Sequence, residues 1–357
     1  MGAIDPAQPF ENLGSRYALL AAVLFGASTP FAKLLLHGMA PITLAGLLYA
    51  GSGVGLTAWI ALRTVVRGRA HAGGLRQANG ALWLLGSILA GGVLAPVLLM
   101  TGLRQLSAAS ASLLLNLEAV FTALIAWFVF RESFDRRVLL GFIAIVLGGV
   151  LLASPARLAL GGGAPWIAGA CACWAIDNNL TRKVSIGDPV LIAALKGVSA
   201  GAVNLGAAAF LGLTWPHAGQ IALAGLLGFA GYGVSLTLFV LALRHLGTAR
   251  TGAYFSTAPF IGALLSLLVF RRLPEPSLVL AAVLMGLGVW LHLTETHAHA
   301  HTHQRQRHAH SHRHDAHHQH AHEFPWDGHE PHDHEHTHEP LTHTHAHFPD
   351  IHHRHEH

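Results

Sequence analysis

Acidic residues and cysteines are scarce in this chain. Asp and Glu together number 18 among 357 residues, and only eight of them precede residue 294. The two cysteines, Cys171 and Cys173, share one apolar stretch, so no disulfide framework can be built. No charged n-region with a cleavage site is found in Met1–Arg16, and the first apolar segment is expected to stay as an uncleaved anchor. Extended polar segments are also missing before residue 294, which excludes an ordinary soluble domain there. Lys and Arg exceed acids by ten over 1–293, while the tail, 294–357, carries −6 with neutral His; the sum is the net +4 of the chain. The basic residues stand in short loops between apolar runs. That is a membrane-topology pattern and excludes a nucleic-acid patch.

Long apolar runs dominate what is present. A helix needs about 20 apolar residues to cross the hydrocarbon core. Ten segments qualify: 17–36, 41–62, 80–101, 105–130, 137–153, 164–182, 188–213, 219–242, 247–270 and 276–293. Trp59, Trp83, Trp127, Trp166, Trp215 and Trp290 fall near their ends, as an aromatic belt requires, and Trp174 does not. With the N-terminus inside, twelve Lys/Arg fall in inner loops and five in outer ones, which places both termini in the cytoplasm. The expected fold is an all-α integral membrane protein. It has a short cytoplasmic N-terminus (1–16), two five-helix repeats (17–153 and 164–293) and a tail (294–357).

The repeat is legible in the residues. A shift of 140 aligns Leu103–Leu151 with Leu243–Leu291, with identities at Leu103/Leu243, Arg104/Arg244, Leu106/Leu246, Phe130/Phe270, Arg131/Arg271 and Gly148/Gly288. A weaker match sets Phe25-Gly26 against Trp174-Ala175 and Lys33 against Arg182. Five helices per repeat invert the second copy relative to the first, the architecture of alternating-access transporters.

The segment Leu113–Trp127 with Phe130-Arg131-Glu132 and Gly141…Gly148-Gly149 resembles the fourth and fifth helices of EamA-type permeases, in the drug/metabolite transporter superfamily. Phe25–Lys33 is similar to that family's first-helix signature, and Ala249…Ala258-Pro259-Phe260 to its ninth. The resemblance covers about 17–293 and implies ten helices, inverted repeats and secondary transport, most often export of amino acids or other small metabolites. Two features depart from the family: Arg272 stands where Glu132 stands in the first repeat, and the histidine tail is an addition.

Polar residues at membrane depth usually face a bundle's interior and mark function. Glu118, with Asn116 beside it, suits a coupling carboxylate or a ligand for a substrate amine; the bland alternative is a structural hydrogen bond. Asp177-Asn178-Asn179 cannot all face lipid, because successive residues are 100° apart, and Lys196 could pair with Asp177 or Glu118. Lys33 suits either the site or an interfacial anchor. Trp174, Tyr232 and Tyr254 are suited to lining a cavity. Glycines 46, 51, 53, 55, 86, 91, 92, 141, 148 and 149 are expected to let helices approach closely, and Cys171 and Cys173 to fill small core spaces. No nucleophile, acid and base set appears, so an enzyme is not expected.

The tail holds 24 of the 29 histidines. They alternate along the chain at His297, His299, His301 and His303, at His308, His310, His312 and His314, and at His332, His334, His336 and His338. An extended chain puts residues i, i+2 and i+4 on one side, and neutral imidazole ligates Zn, Ni, Co and Cu. The tail has too few aliphatics to offset its ordering entropy, so it is expected to be disordered and to bind Zn, Ni or Co. The bundle itself requires no cofactor. The expected function is a multi-pass inner-membrane transporter exporting a small metabolite, amino-acid-like or metal-chelating, with a metal-binding regulatory tail; a homodimer stays open. The alternatives are a direct Zn/Ni/Co carrier and a membrane-anchored metal store. The expected partners are a small-molecule substrate, transition-metal ions and the lipid bilayer.

Overall fold

The computed structural model describes residues 8–67, 80–130, 136–153, 162–181 and 188–293, and four tail segments, 297–303, 306–312, 332–338 and 341–347. The chain divides into two units, Met1–Glu295 and Thr296–His357.

The described part of the first unit is helical. Its helices are α1 (Gln8–Leu35), α2 (Pro41–Arg67), α3 (Gly80–Ser87), α4 (Ala95–Gln105), α5 (Ala108–Leu114), α6 (Leu117–Phe130), α7 (Arg136–Ala153), α8 (Ala164–Thr181), α9 (Pro189–Phe210), α10 (Ala218–Gly228), α11 (Ser235–Phe255), α12 (Ala258–Val269) and α13 (Pro276–Leu293). Two π-helical segments, Ile88–Leu94 and Phe229–Val234, join α3 to α4 and α10 to α11. Seven stretches among the described residues are long and apolar enough to cross a bilayer, while Ala258–Val269 and Pro276–Leu291 are apolar but shorter. The six tryptophans near segment ends are 42–58% exposed and Trp174 is 7% exposed, the contrast expected between lipid-facing belt residues and an interior one.

Several boundaries depart from the expected ones; one is in the segment expected at 247–270, which breaks at Ser256-Thr257 between α11 and α12. Helix α1 begins at Gln8, well before residue 17. The segment expected at 105–130 breaks at Leu115-Asn116, between α5 and α6. No non-helical residue separates the segments expected at 219–242 and 247–270, which meet within α11. Yet the rings of Phe239 and Phe255 lie 4.7 Å apart, where 16 residues of straight helix would separate them by about 24 Å. Ser235 and Phe255 also touch neighbouring turns of α1, at Ala21 and Phe25. The chain therefore doubles back within α11.

Glycines carry the helix crossings, because only a missing Cβ lets two backbones come this close. In the α2–α9 pair, Gly46 meets Leu205, Gly53 meets Gly197 and Gly201 meets Ala50, so the two run antiparallel. In the α7–α13 pair, Gly141 faces the Gly288 carbonyl and Gly148 the Ala281 carbonyl. Adding 140 to 141 and 148 gives 281 and 288, so these two contacts are images of each other. The π-helical segments obey the same shift: 89–94 becomes 229–234.

The described residues of the second unit form four strands, β1 (His297–His303), β2 (Gln306–His312), β3 (His332–His338) and β4 (Leu341–His347). β1 pairs antiparallel with β4 and β2 with β3. No regular structure was expected here, but alternation of His with small residues has the period of a strand. The register sets His297, His299 and His301 opposite His347, His345 and His343. It sets His308, His310 and His312 opposite His336, His334 and His332. His314 lies outside the described residues.

Candidate transport site

The π-helical turn at Ile88–Leu94 organises the polar interior. A π-turn frees a carbonyl from the regular helical ladder, and here the Gly91 carbonyl accepts from the Tyr49 hydroxyl at 2.7 Å and from Trp174 Nε1 at 3.0 Å. A Cβ at position 91 would collide with the Asp177 carboxylate; glycine at that turn is what admits the acid. Asp177 Oδ1 accepts from Ser87 Oγ at 2.5 Å and from Thr181 Oγ1 at 2.8 Å. Lys196 Nζ lies 2.6 Å from both of its carboxylate oxygens. The Lys196 and Asp177 side chains are 13% and 9% exposed. An ion pair this buried persists because every partner is present.

Glu118 begins α6 just after the break at Leu115-Asn116, where the positive end of the helix dipole favours a carboxylate. Its Oε1 accepts from Asn178 Nδ2 at 2.8 Å, and that contact is exposed. Among the described residues Glu118 meets this neutral amide and no cation. Asn179 is buried and donates to the Ala175 and Thr122 carbonyls, tying α8 to α6. Asn116 donates to the Leu113 carbonyl at 2.9 Å and lies against Met285 Sδ; it shapes the break rather than joining Glu118.

Aromatic rings pack beside this network. Phe25 of α1 meets Trp174 edge-on at 6.5 Å, Tyr232 at 5.9 Å and Phe255 at 5.5 Å, and Tyr49 meets Tyr232 at 5.6 Å. Tyr232 belongs to the second π-turn, whereas the first receives its aromatic partners, Tyr49 and Trp174, from α2 and α8. Tyr254 is half-buried and stands outside the ring contacts found among the described residues. Lys33 is elsewhere: eight residues along α1 from Phe25, about 12 Å, it binds the carbonyls of Leu103, Arg104 and Leu106. Cys171 lies against the Leu114 and Leu115 carbonyls, and no group of three candidate metal ligands occurs among the described residues.

The sequence brings forward Glu118, Asp177, Asn178, Lys196, Trp174 and Tyr232 as site residues, but not Tyr49, Ser87 or Thr181, and Phe25 only as part of a family signature. The diglycine Gly91-Gly92 in an apolar run does not reveal the π-turn on which Tyr49 and Trp174 converge. The assembled site offers a carboxylate on a helix N-terminus, an amide, a neutralised ion pair and flat aromatic faces.

An apolar multi-helix bundle with a polar interior of this kind is the architecture of a multi-pass membrane protein. The chain belongs to the EamA-like transporter family, whose pattern matches residues 12–154 and again 161–294. It is 28% identical over 288 residues to an uncharacterized transporter of Methanothermobacter thermautotrophicus, a match covering 76% of this chain and 84% of the relative. A shorter stretch of 76 residues is 45% identical to a probable 4-amino-4-deoxy-L-arabinose-phosphoundecaprenol flippase subunit, ArnE, of Pseudomonas fluorescens, covering 21% of this chain and 63% of that one. A solved crystal structure shares the fold with a TM-score of 0.57 at 18% identity, covering 77% of this chain and 95% of the other.

Proposed function

We propose that this transporter is a secondary active exporter of a small metabolite, amino-acid-like or metal-chelating, residing in the inner membrane. Ten spans are arranged as two inverted five-helix repeats, 17–153 and 164–293, with both termini in the cytoplasm. The reading is carried by the 140-residue correspondence, which relates Gly141–Gly288 to Gly148–Ala281 and one π-turn to the other. The reversal within α11 supports a count of ten, because it divides 218–255 into two antiparallel limbs.

Substrate meets Glu118, Asn178 and the aromatic faces of Trp174 and Tyr232 between the repeats. Glu118 serves as the coupling or amine-binding carboxylate, and the Asp177–Lys196 pair holds α8 and α9 in place. The tail binds Zn, Ni or Co and links transport to metal status; the register that sets histidine opposite histidine in both sheets supports this. A direct metal carrier is less well supported, because the described bundle gathers no three-ligand group.

The test is export from whole cells of radiolabelled candidate metabolites by the native protein and by Glu118→Gln. Amidation keeps volume and hydrogen bonding and removes the charge. Loss of export at unchanged membrane abundance is expected; normal export by Glu118→Gln would reduce the carboxylate to a structural hydrogen-bond acceptor.

A further inference from the structure

The two strand pairs of the second unit share one register. Partner numbers have the same sum at His297–His347 as at Gln306–His338, so a single antiparallel alignment of 297–312 with 332–347 accounts for both ladders. The sequence makes that alignment demanding. In the first arm histidine takes odd positions from His297 to His303 and even ones from His308 to His312; the second arm runs even from His332 to His338 and odd from His343 to His347. A change of phase moves histidine to the other face of a strand. If one arm alone changed phase, histidine would oppose histidine over half the length and other residues over the rest. Both arms change phase by the same five-residue step, His303 to His308 and His338 to His343, at levels that overlap in the register. Histidine therefore opposes histidine at three levels of each ladder. It meets another residue at two levels, His303 with Leu341 and His338 with Gln306, both beside the phase change.

Partner positions of an antiparallel pair have Cβ atoms about 4.5–5.5 Å apart, and positions i and i+2 of one strand are about 7 Å apart. Two successive levels thus set four histidines at the corners of a small rectangle, as at 297, 299, 345 and 347, and tetrahedral Zn²⁺ takes four ligands. Apolar burial does not hold these ribbons. Leu341 is the one large aliphatic residue in the four strands, and an isolated two-stranded ribbon is marginal in water. An ion that binds the paired arms alone lends its binding free energy to the pairing. The opposing cost of closing the connection, 313–331, grows only with the logarithm of its length.

We propose that divalent transition-metal ions bind across the two arms, on the opposed histidines of each ladder, and staple 297–312 to 332–347. The inference rests on the metal-binding reading of the tail. It adds the ligand set and the register: cross-arm histidine pairs, in place of the local His-x-His runs that each arm offers by itself.

Full-length protein, one copy per lipid nanodisc, in a Cys171→Ala, Cys173→Ala background, tests this by dipolar broadening between spin labels, with bound Zn²⁺ counted on the same samples. One labelled protein carries Ala298→Cys and Ala346→Cys, partners in the first ladder; another carries Ala309→Cys and Glu335→Cys, partners in the second. Both should lack broadening after chelation and gain it with Zn²⁺. Adding His343→Ala, His345→Ala and His347→Ala should lower the bound Zn²⁺, remove the broadening at 298/346 and leave that at 309/335. Zn²⁺ bound without broadening overturns the staple and leaves the metal-binding reading standing, since each arm then holds metal alone. No bound Zn²⁺ sinks that reading and the staple with it. Broadening before any metal is added, or kept at 298/346 by the triple variant, overturns the staple because pairing then needs no cross-arm ion.

Discussion

The Asp177–Lys196 pair offers the most quantitative test of the interior. At 2.6 Å and an effective dielectric constant of about 20, the Coulomb attraction is roughly 6 kcal/mol, most of it offset by desolvating two charges. Removing one partner leaves the other buried and uncompensated, a loss of about 3–5 kcal/mol. Lys196→Met should fall at the lower end, because Ser87 and Thr181 still donate to the orphaned carboxylate. Asp177→Asn should fall higher, because the ammonium keeps no acceptor of equal strength. The double variant Asp177→Asn, Lys196→Met buries no charge and should lose only about 1–2 kcal/mol relative to the native chain, giving a coupling energy above about 3 kcal/mol in the cycle. Reversible unfolding in mixed micelles, followed by tryptophan fluorescence, measures all four proteins. Additive losses in the double variant would refute the pairing on which the site's geometry depends.

Packing and tail make separate predictions. Gly288→Leu should abolish stable insertion, because a Cβ there already meets the Gly141 carbonyl, whereas Gly206→Leu should be tolerated, since nothing lies within 4 Å of a Cβ at that position; membrane abundance by immunoblot distinguishes them. The full-length protein should bind several Zn²⁺ ions at about pH 7.5 and release them near pH 5.5, because protonated imidazole is not a ligand and His titrates near pH 6.5. Calorimetry on the full chain and on a Thr294–His357 deletion checks this. Equal binding by both would remove the tail from metal chemistry.

Helix placement was readable because twenty-residue apolar runs have few other uses, and glycine spacing announced the close crossings at Gly53 and Gly141. The correspondence at 140 residues was readable because Arg104/Arg244 and Phe130/Phe270 are improbable coincidences in an apolar chain. The π-turns were not, because Gly91-Gly92 in an apolar run is equally compatible with regular helix; only the carbonyl that Tyr49 and Trp174 share marks the first. Ser87 stayed hidden because a lone serine in an apolar helix usually bonds its own backbone. The role of Lys33 was ambiguous between site and interface, since its acceptors are backbone carbonyls that carry no sequence signature. The break at Leu115-Asn116 lies where Asn116 and Glu118 are isolated polar residues in an otherwise apolar run, so hydropathy sets no boundary there.

The count of spans tests the account most directly, and the segment within α11 decides it. Reporter fusions placed at Thr214, His245, Leu273 and His357 should report outside, cytoplasm, outside and cytoplasm in turn, as two inverted five-helix repeats with a cytoplasmic N-terminus require. A fusion at His245 that reports the same side as Thr214 would mean that the chain does not cross between them, and the inverted-repeat transporter would be contradicted.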